Sequence, residues 1–544
     1  MPITLDDLRL FRSLRMTDFA DGGGRMSGDV VVDGQKNNVF DDLTDFERLA
    51  GRTSLRKIFG QVLSEDNDVL LSAYALLDTP PDDPEVEACI FTTGDLATER
   101  ATAVGNLEST WSVPPAPFVQ ARAASQNYVL VRVDSVAGLL PAGLVVGVRI
   151  GLAADGTMPL VAVATVTALG STFGGPTYYW RQVFLDRLVP TLPGGAPSDY
   201  PHRVYYGIPL FEPVRVYGVA TLTDAIDADD TELPVDKVTA LVVPWAEAGP
   251  YPIGADGIAP APFEDGGGRV PALSAGDPVL VHHTTVVGPT AVADEDVVDV
   301  GRPNLARLRV IGSDGTVHAR FDAGAPPPAG VGCTADLAAG TVEFQDVTGY
   351  AQPVTIEHRI ENLRLIASIA GTDLTLSFGV NRAFPAGARV SSLVRLGDLR
   401  SRVVGGFAQQ AWTGVWSDAR IGGEPLADFN DTVNPIVVTN RGAVGERWAV
   451  IFTNATAFRV VGEQVGEVGT GSTGAEFAPV NPATGVPYFS IPAAGWGVGW
   501  AAGNVFRFNT AGASAALWSL RCCKPSEPTG DDRVIVEFRG YINT

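Results

Sequence analysis

The sequence predicts a mainly β protein built from several modules, and three observations lead to this prediction. The chain has 544 residues, more than a single domain usually contains. It holds 61 glycines and 39 prolines, which are the residues that form turns. Short runs rich in Val, Thr and Leu alternate with these turn residues, as β-strands do. We therefore expect several small β-sandwich or barrel modules, a glycine-rich extended N-terminal arm and one or two short helices.

The N-terminal arm is expected over Met16–Phe59, where large apolar residues are sparse in the first half. Three consecutive glycines precede an arginine in this stretch, and glycine tolerates left-handed backbone. A segment with so little apolar surface does not fold by itself. We therefore expect the arm to lie outside the core and to become ordered against a partner. Its candidate contact residues are Gly22, Gly23, Gly24 and Arg25.

Two short helices are predicted near the N-terminus. Thr4 is a candidate N-cap with Asp7 three residues later, and apolar residues recur from Leu5 to Leu14 as on one helix face. Asp41–Ala50 is the second prediction, because acidic residues fill its first turn and a glycine follows its end.

Changes in composition predict four domains. Residues 1–117 would form the arm and an assembly domain. Residues 118–213 and 214–330 would each form a β domain, since each contains several apolar runs separated by turn residues. Residues 331–544 would form one or more tryptophan-rich β domains.

The C-terminal region is rich in tryptophan, with six of the nine tryptophans between Trp412 and Trp518. Glycines flank Trp496 and Trp500, which leaves room for a ring to be presented at the surface. Exposed aromatic rings bind sugar faces or anchor protein interfaces. Trp496 and Trp500 are therefore candidate contact residues, and the alternative is that they fill a β core.

Composition argues against several classes of partner. The formal net charge is −23, whereas a surface that binds nucleic acid or anionic lipid needs clustered Lys and Arg. The most apolar stretch, Ala137–Ile150, contains a proline and an arginine and is too short to span a bilayer. The four cysteines lack the spacing of a disulfide framework, and the N-terminus lacks the apolar run of a signal peptide. We expect no nucleic acid partner, no membrane insertion and folding in a reducing cytoplasm.

No stretch of the sequence predicts catalysis. His282 and His283 are the only close histidine pair, and no HExxH or CxxC spacing occurs. The acidic run from Asp224 to Glu232 could ligate calcium, but it lacks the order of an EF-hand loop, so a solvated turn is favoured. The glycines at Gly22–Gly24 could form an anion-binding nest, yet they lack a P-loop ending. We predict no catalytic residues, no cofactor and no metal site.

Several long blocks of the sequence resemble structural tail proteins of Mu-like, long-tailed (siphovirus-type) bacteriophages and their prophages. The two regions that carry these blocks, residues 16–91 and 352–510, make up roughly half the chain, and the middle third departs most from the resemblance. The N-terminal blocks are MTD-ADGGGRMSG, VDGQKNNVFDD, GRTSLRKIF and DTPPDDPEVEACIF. The C-terminal blocks are QPVTIEHRIENL, GDLRSRV, NRGAVGERWAVIF, PVNPATGVPYF and GWGVGWAAGNVFRFNT.

The resemblance implies a virion structural protein of the baseplate or tail tip, assembled in the host cytoplasm. It implies a homo-oligomer, with a trimer favoured over a hexamer, and contacts with other tail proteins. Two alternatives stay open. One is a receptor-binding module that contacts a host-surface glycan or pilus, which requires exposed rings at Trp496 and Trp500. The other is an enzyme that cleaves the cell wall or another glycan.

Overall fold

The computed structural model confirms the mainly β class: strands make up 51% and helices 3%. Within the residues it describes, no helix is long and apolar enough to cross a membrane. The described residues are 3–32, 35–50, 52–107, 116–119, 126–133, 146, 149–153, 160–175, 178–189, 203–206, 216–236, 276–325, 327–370, 373–523, 527 and 530–542.

The N-terminal part of the chain contains strands and two short α-helices. A 3₁₀ turn at Leu5–Asp7 precedes the first strand. The elements are β1 (Leu8–Arg15), β2 (Gly23–Val30), α1 (Asp45–Ala50), β3 (Arg52–Val62), β4 (Leu70–Thr79), β5 (Val86–Phe91) and α2 (Arg100–Leu107).

The next strands close into an antiparallel barrel, in the order β10-β7-β6-β11-β8-β9. Val131, Val183 and Leu185 are among its buried apolar residues. The strands are β6 (Ala116–Val119), β7 (Gln126–Val133), β8 (Arg149–Ala153), β9 (Leu160–Gly175), β10 (Tyr178–Val189) and β11 (Arg203–Tyr206).

The middle of the chain supplies most of a ten-stranded antiparallel sheet and a small three-stranded sheet, ordered β16-β20-β19. The strands are β12 (Val216–Tyr217), β13 (Val219–Thr221), β14 (Glu232–Pro234), β15 (Pro278–Thr290), β16 (Val297–Asp299), β17 (Arg307–Ile311), β18 (Val317–Asp322), β19 (Cys333–Asp336), β20 (Thr341–Phe344), β21 (Val354–Ala370), β22 (Asp373–Leu376) and β23 (Arg389–Leu399).

The C-terminal part forms a five-stranded sheet, ordered β24-β28-β25-β26-β27, and then returns to the other sheets. Aromatic residues dominate the core on this sheet, including Trp448, Phe452 and Phe506. The strands are β24 (Arg402–Gln409), β25 (Glu446–Phe452), β26 (Ala457–Gly462), β27 (Gly466–Ser472), β28 (Val505–Ala511), β29 (Ser514–Cys523) and β30 (Ile535–Ile542).

The strand β3 corrects the expectation that residues 16–59 lie outside a core. This strand is buried along nearly its whole length and lies in a six-stranded sheet ordered β12-β5-β29-β3-β1-β2. Its neighbour β29 comes from the other end of the chain, with Lys57 opposite Trp518. A segment that is poor in apolar residues is thus completed by a partner strand some 460 residues away, which local composition does not reveal.

The ten-stranded sheet follows the order β14-β22-β21-β15-β23-β4-β30, with β13 on β23 and the hairpin β17-β18 on β21. It combines β4 from residues 1–117, β15 from residues 214–330 and β30 from residues 331–544. The three predicted domain boundaries stay a prediction, and the ten-stranded sheet contains strands from both sides of them.

The predicted helices are only partly present. Leu8–Arg15 is a strand, and the Thr4–Asp7 bond closes only the 3₁₀ turn before it. The helix predicted over Asp41–Ala50 begins later, at Asp45. Thr44 explains this start, because its Oγ1 accepts from Glu47 N–H while the Glu47 carboxylate accepts from Thr44 N–H. This reciprocal arrangement is a capping box.

Candidate functional site

The three glycines predicted to contact a partner lie inside the chain's own fold. Gly22, Gly23 and Gly24 are all buried. Gly23 has a φ of +86°, and a Cβ atom at that position would lie 2.5 Å from the Trp518 ring. Gly24 donates its N–H to the Thr98 carbonyl at 3.1 Å. The glycines therefore allow close packing between two parts of the chain, and they do not form the exposed arm that the sequence suggested.

Arg25, the fourth predicted contact residue, also bonds within the chain. Its Nη1 donates to the Gly445 carbonyl at 2.9 Å. Gly445 immediately precedes β25 of the five-stranded sheet. Arg25 therefore links the N-terminal segment to the C-terminal region, and its side chain is half-buried.

Asp18, from the first resembling block, is held by residues of the third block. Its carboxylate accepts from the guanidiniums of Arg52 and Arg56 and from the Leu55 N–H at 3.0 Å. Burial alone would raise the pKa of Asp18, but the charge of Arg56 and these hydrogen bonds outweigh burial and hold the pKa below its ordinary value. Sequence reasoning missed this contact, since Asp18 lies more than thirty residues before Arg52 and Arg56.

Lys57 is buried in the same sheet. Its Nζ donates to the carbonyls of Asp95 at 3.2 Å and Thr98 at 3.0 Å, and it lies 5.5 Å from the centre of the Trp518 ring. Burial lowers the pKa of Lys57 to about 8. The Thr98 carbonyl thus accepts hydrogen bonds from both the Gly24 N–H and the Lys57 amine.

The two predicted contact tryptophans pack in the aromatic core, which is the alternative that the sequence left open. Trp500 is 3% exposed and stacks on Phe452, with ring centres 4.2 Å apart. Trp496 is half-buried and meets Phe429 edge-on at 4.8 Å. The glycines that flank them make room for packing: a Cβ atom on Gly495 would overlap the Phe429 ring.

The residue between these tryptophans faces outward instead. Val498 is 92% exposed, and Leu426 on the neighbouring loop is 98% exposed. The two loops are joined by a 2.9 Å bond from Gly497 N–H to the Asp428 carbonyl. A Cβ atom on Gly499 would lie 3.6 Å from the Leu426 Cβ. We call Leu426 and Val498 the apolar tip.

Strand alternation does not predict the outward position of Val498. Positions 496, 498 and 500 would share one face of a strand, so the motif by itself places Val498 on the same side as the two tryptophans. Nothing in the sequence around Leu426 indicates that its side chain lies beside that motif. Large contiguous apolar patches mark contact sites. The apolar tip consists of two exposed side chains on adjoining loops.

The residues considered for metal binding do not converge. Within the part of the chain that the structure describes, no group of three or more His, Cys, Asp or Glu side chains could hold a metal ion. The acidic run from Asp224 to Glu232 forms an exposed turn, in which the Asp230 carboxylate accepts from the Asp227 N–H at 2.7 Å. His202 lies outside the described residues.

His282 takes part in an arrangement that sequence reasoning missed. Its Nε2 lies 2.9 Å from the Ser391 Oγ, and its Nδ1 lies 3.8 Å from an Asp78 carboxylate oxygen. The series of contacts from Ser391 through His282 to Asp78 resembles a Ser-His-Asp triad. However, the Ser391 hydroxyl donates to the Leu77 carbonyl at 2.7 Å, and both Ser391 and His282 are buried. Burial, followed by the charge of Arg359, holds the pKa of His282 well below its usual range. The arrangement therefore satisfies buried polar groups, with no nucleophile presented to a substrate.

A network of ion pairs surrounds His282 and fastens β30 to its sheet. Arg307 Nη1 lies 2.8 Å from Glu537, and Arg539 Nη1 lies 2.8 Å from Glu361. Burial alone would raise the pKa of Glu537, but the charges of Arg539, Arg307 and Arg359 hold it well below its usual range. Four carboxylates face four guanidiniums, so the charges balance. The members are Asp78, Asp322, Glu361, Glu537, Arg307, Arg320, Arg359 and Arg539.

Comparison with known proteins gives no relative: no family model, no curated protein and no solved structure matches this chain.

Proposed function

We propose that this chain is a virion structural protein of a long-tailed, Mu-like phage, located in the baseplate or tail tip. The observation that carries the proposal is the resemblance of the N- and C-terminal blocks to tail proteins of such phages. Asp18, Lys57 and Arg25 lie in these blocks, and their contacts serve the packing of the chain. The proposal assigns the chain no enzymatic activity.

The candidate surface for assembly is no longer the one that the sequence predicted. Gly22–Gly24 are committed to intrachain contacts, so they do not lock neighbouring subunits together. The apolar tip is the better candidate, because Leu426 and Val498 are nearly fully exposed and lie on adjoining loops. Burying both side chains between copies would contribute favourable transfer free energy of about 1.5–3 kcal/mol each. In this proposal the β-sheets act as rigid spacers between such contacts, and a trimer is the favoured state.

The receptor-binding alternative loses its stated support. It requires a platform of exposed rings at Trp496 and Trp500, whereas Trp500 is buried and Trp496 is packed edge-on against Phe429. The enzymatic alternative gains no specific observation, since the Ser391 hydroxyl is buried and engaged.

Self-association tests the assembly part of this proposal. The molar mass of the purified full chain, measured by sedimentation or mass photometry, is expected to correspond to an oligomer. Leu426→Ser/Val498→Ser is expected to shift the protein toward the monomer, because polar side chains remove the apolar contact. The matched control is Val286→Ser/Val317→Ser, two exposed valines on the ten-stranded sheet, which should leave the mass unchanged. A wild-type monomer at all concentrations, or equal effects of both double variants, would contradict this assignment.

A further inference from the structure

A buried histidine on β21 has no visible role in the ion-pair network. His358 is 2% exposed, and neither of its ring nitrogens has a hydrogen-bond partner. Buried polar groups are nearly always paired, so an imidazole with two orphaned nitrogens calls for an explanation. His358 alternates with Arg359 along the strand and therefore faces away from the network around Glu537.

Strand register identifies the groups beside His358. Thr285 on β15 lies directly opposite it, and His283 lies two residues earlier on the same face. Leu308 on β17 flanks the other side. The Thr285 hydroxyl is also buried without a partner, although the residue as a whole is half-buried. Three polar side chains thus lie on one face of two neighbouring strands, with His358 buried and His283 and Thr285 half-buried.

Arg302 supplies a positive charge near these side chains. The charge of Arg302 acts on both histidines and, after burial, is the largest influence that lowers the pKa of His358 and of His283. Both rings are therefore neutral at pH 7. The Nη1 of Arg302 is buried without a partner.

The nearest acid is already engaged elsewhere. Glu357 influences His358 but faces the opposite side of the sheet, where Arg309 donates to its two carboxylate oxygens at 2.8 Å each. His283, Thr285 and His358 carry no negative charge, so these three side chains supply no counter-charge for Arg302.

We propose that Arg302, His283, Thr285 and His358 form a binding site for an oxyanion of the phosphate class. A guanidinium, a hydroxyl and two imidazole N–H groups are all donors to anionic oxygen, and guanidinium matches phosphate geometry. A neutral imidazole also keeps one accepting nitrogen, and a protonated phosphate oxygen can donate to it. A single phosphate would then pair one of the two orphaned nitrogens of His358, either as acceptor from the ring N–H or as donor to the accepting nitrogen. A metal ion fits less well, because only two imidazoles are present and Arg302 repels a cation.

Isothermal titration calorimetry of the full chain with inorganic phosphate, at constant ionic strength, tests this site. Saturable binding of one phosphate per chain is expected. Arg302→Gln should weaken the affinity about tenfold or more, since it removes a charge-assisted bond. Thr285→Val should weaken it less, and Thr284→Val is the matched control, because this neighbour is exposed on the opposite face of β15. Glycerol phosphate extends the test: binding of phosphate alone assigns the site to the free ion, and equal binding of both assigns it to a phosphoryl group on a larger molecule.

The failure of a variant to fold is separated from the loss of the site by thermal unfolding. Phosphate should raise the melting temperature of the wild type and of Thr284→Val but not that of Arg302→Gln. The absence of saturable binding to the wild type up to about 10 mM phosphate would overturn the proposal. Equal affinity of the wild type and Arg302→Gln would also overturn it.

Discussion

Single polar residues of the N-terminal blocks join separate parts of the chain. Asp18 bridges to Arg52 and Arg56 on β3, while Lys57 on the same strand reaches two carbonyls of a loop near α2. A buried charge is tolerated only when it is paired or hydrogen-bonded. These residues therefore fix how the N-terminal segment lies on the six-stranded sheet.

The depressed pKa of Lys57 predicts a pH dependence of stability. Its pKa is about 8 in the folded chain, against a reference value of 10.5. Between these values the unfolded chain binds more protons than the folded chain, so stability rises with pH in this window. In urea unfolding, the unfolding free energy of the wild type relative to Lys57→Met should increase by about 1–3 kcal/mol between pH 8 and pH 10. A stability difference that stays constant over this range would contradict the burial of Lys57 and its lowered pKa.

Removing the Asp18 charge should be costly. Asp18→Asn removes the carboxylate that pairs with the buried Arg56 guanidinium, whereas Arg52 keeps its ion pair with Glu47, and the expected loss of unfolding free energy is about 3–5 kcal/mol. Asp21→Asn is the matched control in the same segment. Its exposed carboxylate lies 3.3 Å from Arg15, and its loss should cost less than about 1 kcal/mol. Similar losses in the two variants, measured by urea unfolding, would show that Asp18 is not buried as described.

At the level of elements, the glycine segment before β2 is a packing device. Gly23 takes a left-handed conformation and lies against the Trp518 ring on β29, so the first and last parts of the six-stranded sheet meet at a residue without a side chain. Gly94 has a similar φ of +73° but has no atom within 4 Å of a Cβ position. Comparison of Gly23 with Gly94 therefore separates the free-energy cost of a left-handed backbone from the cost of crowding against the Trp518 ring.

Replacement of these two glycines should therefore have unequal effects. Gly94→Ala should cost about 1 kcal/mol of unfolding free energy, from left-handed backbone alone. Gly23→Ala should cost about 2–4 kcal/mol, because the new methyl group also overlaps Trp518. Thermal and urea unfolding check both values. Equal losses would mean that Gly23 is not packed against that ring.

The local sequence predicted that strands form better than it predicted which strands pair with each other. Turn residues and Val-rich runs correctly indicated strands, and Thr44 with Glu47 is a capping box that careful reading could have found. The burial of β3 could not be predicted in this way, because its strand partner β29 lies near the other end of the chain. The outward position of Leu426 depends on a neighbouring loop for the same reason.

At the scale of the whole molecule, the chain's two ends are paired with each other. β3 pairs with β29 and β4 pairs with β30, so strands near both ends of the chain share two sheets. The ion pairs of Glu537 and Arg539 fasten the last strand to β17 and β21. In the assembly proposed above, copies contact each other through the apolar tip, whose loops pack on the core of the five-stranded sheet.

The location of the protein in the virion tests the central claim most directly. Gold-labelled antibody against the chain, applied to purified virions of the phage or induced prophage that encodes it, would be viewed by electron microscopy. The account predicts label at the far end of the tail, with a detergent-treated sample to reveal covered epitopes. Virions without label in both samples would contradict a structural role in the tail.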